Sequence, residues 1–485
     1  MILTLLVNNL NLLASDKNPS EVLLLNWSVG YAGQLSETPK EWYPATVPGA
    51  VQLDMAKGLN YGTYYFSENW KEYLWMENEF FTYRTSFNKP IVGENQKCFF
   101  FSKGIDYEFE VWLNGTKLFH QEGMFSPVRI DLTPKLLDKN ELFVKIYPIP
   151  KTQREPADRS QASQSVKPAV SYGWDWHPRL VPSGIWDETD VVVRQSSEIT
   201  NVESDYTLDA DLNSASLITS LKGENLDQCR YELTISDAKG RAVLKNEGKL
   251  IQEYPSNISF RKVQLAMNEG AWDTPKDFPK SRSIPPVKLE INGRKIFGKG
   301  TNWVNPEIFP GIITRERYNE LLDRAKEANF NILRVWGGGI INKDSFYELC
   351  DEKGILVWQE FPLACNNYEG TPHYLKILEQ ESESIIKRPK VHPSLALWCG
   401  GSEALKRMCA LWEIEPAINI CTVCCYQKMA FFCKKCSKKY AKTCEDFDDY
   451  AKMPIVNSPR TGECEYSGGS IDKARDWVYK MPKSI

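Results

Sequence analysis

The sequence contains no hydrophobic run long enough to cross a bilayer, for which about 20 consecutive apolar residues are needed. It has no excess of positive charge either. Its 59 Lys and Arg stand against 63 Asp and Glu, for a net charge of −4, which argues against nucleic acid as the main partner. No Gly-x-Gly-x-x-Gly turn follows any of its apolar runs, which weighs against an open dinucleotide-binding sheet. The apolar stretch 1–15 lacks the basic start of a signal peptide and is interrupted by Asn8, Asn9 and Asn11. A compartment is therefore not set by this stretch, and secreted, periplasmic or lysosomal placement is favoured over cytoplasmic. An even disulfide framework is also missing. The 13 cysteines are odd in number and crowd between Cys409 and Cys444, while the others, Cys399 included, read as small core residues or incidental thiols.

What is present is a chain of 485 residues, 42% hydrophobic and 25% charged, long enough for two to four domains that each bury a core. Its 15 Trp are many for this length. Indole faces stack on sugar rings, but they also fill cores. Asn26, Asn114 and Asn257 head Asn-x-Ser/Thr triplets, a number that chance supplies.

The pattern is clearest at Leu395-Ala396-Leu397-Trp398-Cys399-Gly400-Gly401-Ser402-Glu403. A buried run leads into small residues and then a carboxylate, as a strand does when it delivers an acid to the rim of a sheet. Two similar runs precede it: Asn331-Ile332-Leu333-Arg334-Val335-Trp336 before three glycines, and Gly354-Ile355-Leu356-Val357-Trp358 before Gln359-Glu360. Helical spacing separates them, in residues 314–329, 343–353 and 374–387, with Thr314 as an N-cap. This alternation predicts a parallel α/β barrel with its polar groups at the C-terminal strand ends.

Upstream, residues 23–194 alternate in short runs broken by Pro, Gly and the hairpin signal Asn114-Gly115, which predicts an N-terminal jelly-roll β-sandwich. Residues 195–285 are more polar and predict an immunoglobulin-like β-sandwich, possibly incomplete. Residues 286–403 hold the first half of the barrel, and residues 404–485 form an irregular Cys- and Lys-rich tail, whose 404–452 portion is expected to pack poorly. Within the first domain one loop stands apart. Ser171-Tyr172-Gly173-Trp174-Asp175-Trp176-His177-Pro178 is either part of a site or a plug of two Trp between domains.

Asn302-Trp303, Arg334-Val335-Trp336-Gly337-Gly338-Gly339, Trp358-Gln359-Glu360-Phe361 and Trp398 to Glu403 together resemble the family 2 glycoside hydrolases, specifically the β-mannosidases, over about residues 42–403. The resemblance implies hydrolysis of terminal β-D-mannose residues, with Glu403 as general acid/base. It places Trp174 and Asp175 over the sugar, within side-chain reach of Glu403. It makes Trp336 an apolar floor, and adds Asn302, Trp303 and Ser402 to the substrate pocket. Glu360 either assists or bridges to Arg334. The chain departs from the family where Gly401 and Ser402 replace two Asn and where His177 replaces a Gly. A Ser offers one donor where the amide offers two.

Retaining hydrolysis needs a second carboxyl roughly 5–5.5 Å from the first, and no Ser-Glu-Phe-Gly-like segment follows Glu403. The residues after Glu403 are too few for four more strand–helix units of roughly 30 residues each, so an incomplete (β/α)8 barrel and impaired hydrolysis are expected. The rival reading is a non-catalytic carbohydrate-binding or structural remnant of the family. Cys421-x-x-Cys424 and Cys433-x-x-Cys436 are paired like zinc ligands. Cys409, Cys425 and Cys444 blur that pattern, and it falls where the family has ordinary barrel sequence, so no metal and no cofactor are expected. The expected partner is a β-mannoside or oligosaccharide, with neither nucleic acid nor membrane.

Overall fold

The computed structural model describes residues 6–7, 10–11, 21–226, 233–236, 242–246, 258–267, 287–366, 368 and 370–400. Ser402, Glu403 and the whole Cys-rich tail lie outside the described residues, and with them the expectation of poor packing in 404–452.

Two antiparallel sheets form the first body. One has six strands in the spatial order Thr116–Glu122, Glu108–Leu113, Lys139–Ile146, Phe80–Asn88, Trp27–Ala32 and Tyr43–Ala45. The other has four: Val128–Asp131, Gln96–Ser102, Thr189–Gln195 and Glu21–Val22. The period-2 pattern of the strands sends one set of side chains inward. Phe81, Tyr83, Val111, Leu113, Leu142 and Val144 of the first sheet meet Cys98, Phe100, Val128, Ile130, Val191 and Val193 of the second in one core. The predicted hairpin is present: Thr116 pairs with Leu113. Asn114 and Gly115 both take positive φ, 50° and 77°, as a tight primed turn demands.

A polar hairpin follows, Glu198–Leu208 with Ala215–Glu224. Further on, Val263–Met267, Val287–Ile291 and Arg294–Ile296 make a three-stranded antiparallel sheet.

The chain then alternates. Its parallel unit consists of β1 (Gly300–Trp303), α1 (Arg315–Glu327), β2 (Ile332–Val335), α2 (Asp344–Lys353), β3 (Leu356–Glu360), α3 (Pro372–Lys390) and β4 (Leu395–Cys399), with the strands in sequential order. Thr314 caps α1, accepting from the Arg317 N–H at 3.2 Å, and Tyr318, Leu322 and Ala325 form its buried stripe. Gly354 ends α2 in the left-handed conformation, φ 67°. The helices cover one face of the sheet, where Leu333, Val335 and Val357 pack against Tyr318, Phe346, Tyr374 and Ile385. On the other face Ile332, Leu356 and Leu397 meet Leu289, Ile291 and Ile296 of the three-stranded sheet, which covers the N-terminal end of the strands.

The first body and the parallel unit share a core: Tyr107, Met124, Phe125 and Trp186 belong to the same cluster as Phe346 and Tyr374. Charged contacts reinforce it. Lys103 Nζ lies 2.8 Å from Asp344, and the buried Arg388 reaches Asp187 at 2.8 Å.

Candidate active site

The register of the parallel strands assembles the site. Asn302, Arg334 and Trp358 are direct partners across β1, β2 and β3, and Glu360 lies two residues beyond Trp358 on the same face. Arg334 donates from Nε to Glu360 at 2.6 Å and from Nη1 to Asn302 at 3.1 Å. The second oxygen of Glu360 accepts the Gly337 N–H at 2.8 Å. Both Glu360 oxygens are thus engaged within 3 Å, and of its two expected roles the structure shows the bridge to Arg334.

Trp336 follows β2 directly, continuing the ladder through its N–H to the Trp303 carbonyl at 3.0 Å. It is 8% exposed and sits with Val170, Ala364 and Cys365. The aromatic loop of the first body comes to this ring across more than a hundred residues of sequence. Trp174 and Trp176 each lie 6.2 Å from Trp336, centroid to centroid, at interplanar angles of 48° and 53°. The loop is therefore folded over the C-terminal strand ends, and its interior tryptophan is also an interface residue.

Local bonds fix its shape. The Trp174 and His177 main chains bond reciprocally, at 2.9 and 3.3 Å. Arg179 forks onto Glu77 at 2.9 and 2.7 Å and also reaches Gln161 at 2.6 Å. The Arg159 guanidinium lies 4.6 Å from the Trp174 ring centre. Burial lowers the His177 pKa, so the ring is neutral at pH 7. Its Nδ1, 2.6 Å from the Pro178 carbonyl, then carries the proton. Between these anchored groups Asp175 and Trp176 remain exposed, Trp176 at 53%.

The sequence-derived residues divide accordingly. Trp174, Asp175, Trp336 and Asn302 gather at one end of the sheet, with Asn302 exposed and tied to Arg334. Trp303 turns the other way, as the next residue of a strand must. Its indole packs between Phe346 at 4.8 Å and Tyr318 at 6.2 Å and donates to Asn342 at 3.3 Å, which makes it a residue of the helix-facing core and not, as expected, of the side that Asn302 takes. Ser402 and Glu403 lie outside the described residues, just past the end of β4. The expected reach of Trp174 and Asp175 to Glu403 therefore also lies outside the described residues. Arg334, Arg159 and Trp176 were not among the expected site residues. Trp176 was visible from its place in the loop, whereas nothing near Arg159 in sequence marks it.

Comparison with known proteins fits this geometry. Residues 27–187 match the family described as "Glycosyl hydrolase 2 galactose-binding domain-like". The chain is 26% identical over 426 residues to Beta-mannosidase B of Aspergillus clavatus, covering 78% of this chain and 50% of that protein. It is 27% identical over 474 residues to Beta-mannosidase of Mus musculus, covering 82% and 51%. The crystal structure of Beta-D-Mannosidase from Dictyoglomus thermophilum superposes with a TM-score of 0.63 at 27% identity, over 79% of this chain and 52% of that one. A Beta-glucuronidase from an uncultured Clostridium sp. shares the fold at 14% identity and a TM-score of 0.60. The chain spans about half the length of the curated relatives it matches. In sequence and in fold, the chain resembles the β-mannosidases, and its residues 27–187 match the galactose-binding-like domain of the family 2 glycoside hydrolases.

Proposed function

We propose that the protein acts on terminal β-D-mannosides, and that its parallel unit is the first half of a (β/α)8 barrel whose C-terminal rim holds the sugar. In this reading residues 23–194 are a jelly-roll domain, residues 195–285 an immunoglobulin-like sandwich, and residues 286–403 the barrel half, with the tail 404–485 unassigned. The observation that carries it is the convergence of Trp174 and Trp176 on Trp336 above the strand ends. An apolar floor roofed by aromatics, with Asp175 and Asn302 left exposed beside it, suits a ring whose C–H face is apolar and whose edge is polar.

Each group has a role that its chemistry permits. Trp336 carries the ring, Trp174 and Asp175 close over it, and Asp175 accepts from a sugar hydroxyl. Asn302 and Ser402 bind further hydroxyls. Glu403, four residues past β4 in sequence, protonates the leaving oxygen as general acid. Arg334 does not touch substrate in this scheme but holds Asn302 and Glu360 in place. The retaining route also needs an attacking carboxylate, and no residue is assigned to it here.

The test is release of p-nitrophenol from p-nitrophenyl β-D-mannoside by the full chain, with the β-D-glucuronide as counter-substrate. Turnover of the mannoside that Glu403→Ala abolishes would support the reading, and preference for the glucuronide would overturn it. Mannoside binding without turnover, unaltered by azide as a substitute nucleophile, would favour a carbohydrate-binding protein instead.

A further inference from the structure

The walls around Trp336 come from two distant parts of the chain. Trp174 belongs to the aromatic loop of the first body, Ala364 and Cys365 follow β3, and all of them meet Trp336 in one small cluster. One cation bridges the two walls. Arg159, which stands 206 residues before Cys365, donates from Nε to the Cys365 carbonyl. The same guanidinium lies 4.6 Å from the Trp174 ring centre, inside the roughly 6 Å over which an aromatic face attracts a cation.

The bridge is anchored at both ends. Asn366 Nδ2 donates back to the Arg159 carbonyl at 2.9 Å, and Thr371, the N-cap of α3, donates to Gln164. Asp158 caps the short turn Arg159–Ala162 by accepting the Ser160 N–H at 2.8 Å. Cys365 takes φ 55°, the left-handed region that a non-glycine residue enters at a cost, and the bond to its carbonyl helps hold it there. The other cations of the loop work differently. Arg179 binds Glu77 and Gln161. Lys167 binds the Pro182 carbonyl at 2.7 Å and the buried Asp106, whose Oδ1 has no hydrogen-bond partner. Those partners all belong to the first body, so they shape the loop without setting its distance from the segment after β3.

We propose that Arg159 is a positioning residue for the sugar pocket. By stacking on Trp174 and holding the Cys365 carbonyl, it sets the gap between the aromatic loop and the segment after β3, and with it the place of Trp174 over the substrate ring. The proposal rests on the reading of Trp174 as a sugar-binding residue, and Arg159 itself touches no sugar in it. A radial gap of about 0.5–1 Å already forfeits a quarter to a half of a dispersion contact, so a small shift of Trp174 is felt in affinity.

The experiment compares the full chain with its Arg159→Met variant, which keeps an apolar stem and removes the charge and the donors. Amide hydrogen exchange is expected to rise at least threefold in peptides covering 170–178 and 361–371 and to stay unchanged in the strand Phe80–Asn88, a split that general destabilisation does not produce. In calorimetric titration with β-1,4-mannobiose, Arg159→Met is expected to weaken binding at least fivefold in the parent chain and less than twofold in a Trp174→Ala background. Arg159→Lys, which keeps a cation and a donor, carries the same test should Arg159→Met not fold, with smaller losses expected. Unchanged exchange in 170–178, or an equal loss of affinity with and without Trp174, would overturn the proposal. Mannobiose affinity indifferent to Trp174→Ala would overturn the reading of the pocket and the sugar-positioning role with it, while raised exchange in both peptides would leave the clamp itself standing.

Discussion

The carboxylate of Glu381, on α3, accepts the hydroxyl of Ser126 at 2.6 Å across the boundary between the parallel unit and the first body. It also accepts the main-chain N–H groups of Met124 and Phe125, each at 2.7 Å, and of Ser126 at 3.1 Å. Glu381 is 0% exposed, so these donors stand in for water.

Removing that carboxylate leaves three buried N–H groups unpaired, at about 1–3 kcal/mol each before relaxation. Glu381→Ala is expected to lower stability by about 3 kcal/mol or more, read as a shift in the urea midpoint. Gly123→Ala should act in the same place, since an added Cβ would stand 2.4 Å from Glu381 Oε1 at a backbone φ of 121°. The pair is expected to be less than additive. Full additivity would mean that the latch is not one unit.

Asp54 supplies the pH dependence. It is buried, holds the Thr46 N–H at 3.1 Å through Oδ1, and has no partner for Oδ2. Desolvation raises its pKa to about 7, against roughly 3.9 for an unfolded Asp. The protonated form is therefore favoured in the fold. Its stabilisation is complete below about pH 4 and is lost as pH rises through about 7. Unfolding free energy is expected to fall between these values by an amount on the order of 2–4 kcal/mol, and Asp54→Asn should flatten that slope. An unchanged slope in the variant would assign it elsewhere.

Asp175 separates function from folding. It is exposed, so Asp175→Ala should change stability by no more than about 0.5 kcal/mol. Loss of a charged hydrogen bond to a sugar hydroxyl, about 2 kcal/mol, should lower kcat/KM for a β-mannoside roughly thirtyfold. Equal kcat/KM in the variant and the parent would remove Asp175 from the pocket.

Arg334 is expected to resist even conservative change. Its fork spans Asn302 and Glu360, and a Lys cannot serve both. Arg334→Lys should cost about 1–2 kcal/mol of stability and raise KM through misplacement of Asn302. A crystal structure of the variant with Asn302 unmoved, together with an unchanged KM, would contradict this.

Much of this was legible in the chain itself. The positions of β2, β3 and β4, the Thr314 cap and the Asn114-Gly115 turn are local matters, set by hydrophobic period, capping and φ preference within a few residues. The candidate site was legible only in part, through a resemblance that pointed to Trp174, Asp175, Trp336 and Asn302. Which face each residue takes was not legible there. Asn302 and Trp303 are neighbours in sequence, yet one joins Arg334 at the rim and the other packs under the helices. Strand register decides between them, and register is a property of the pairing with β2. The latch of Glu381 on residues 124–126 and the orphan oxygen of Asp106 were likewise settled only by tertiary structure. A buried carboxylate is defined by the donors that come to it, and those donors lie hundreds of residues away in the chain.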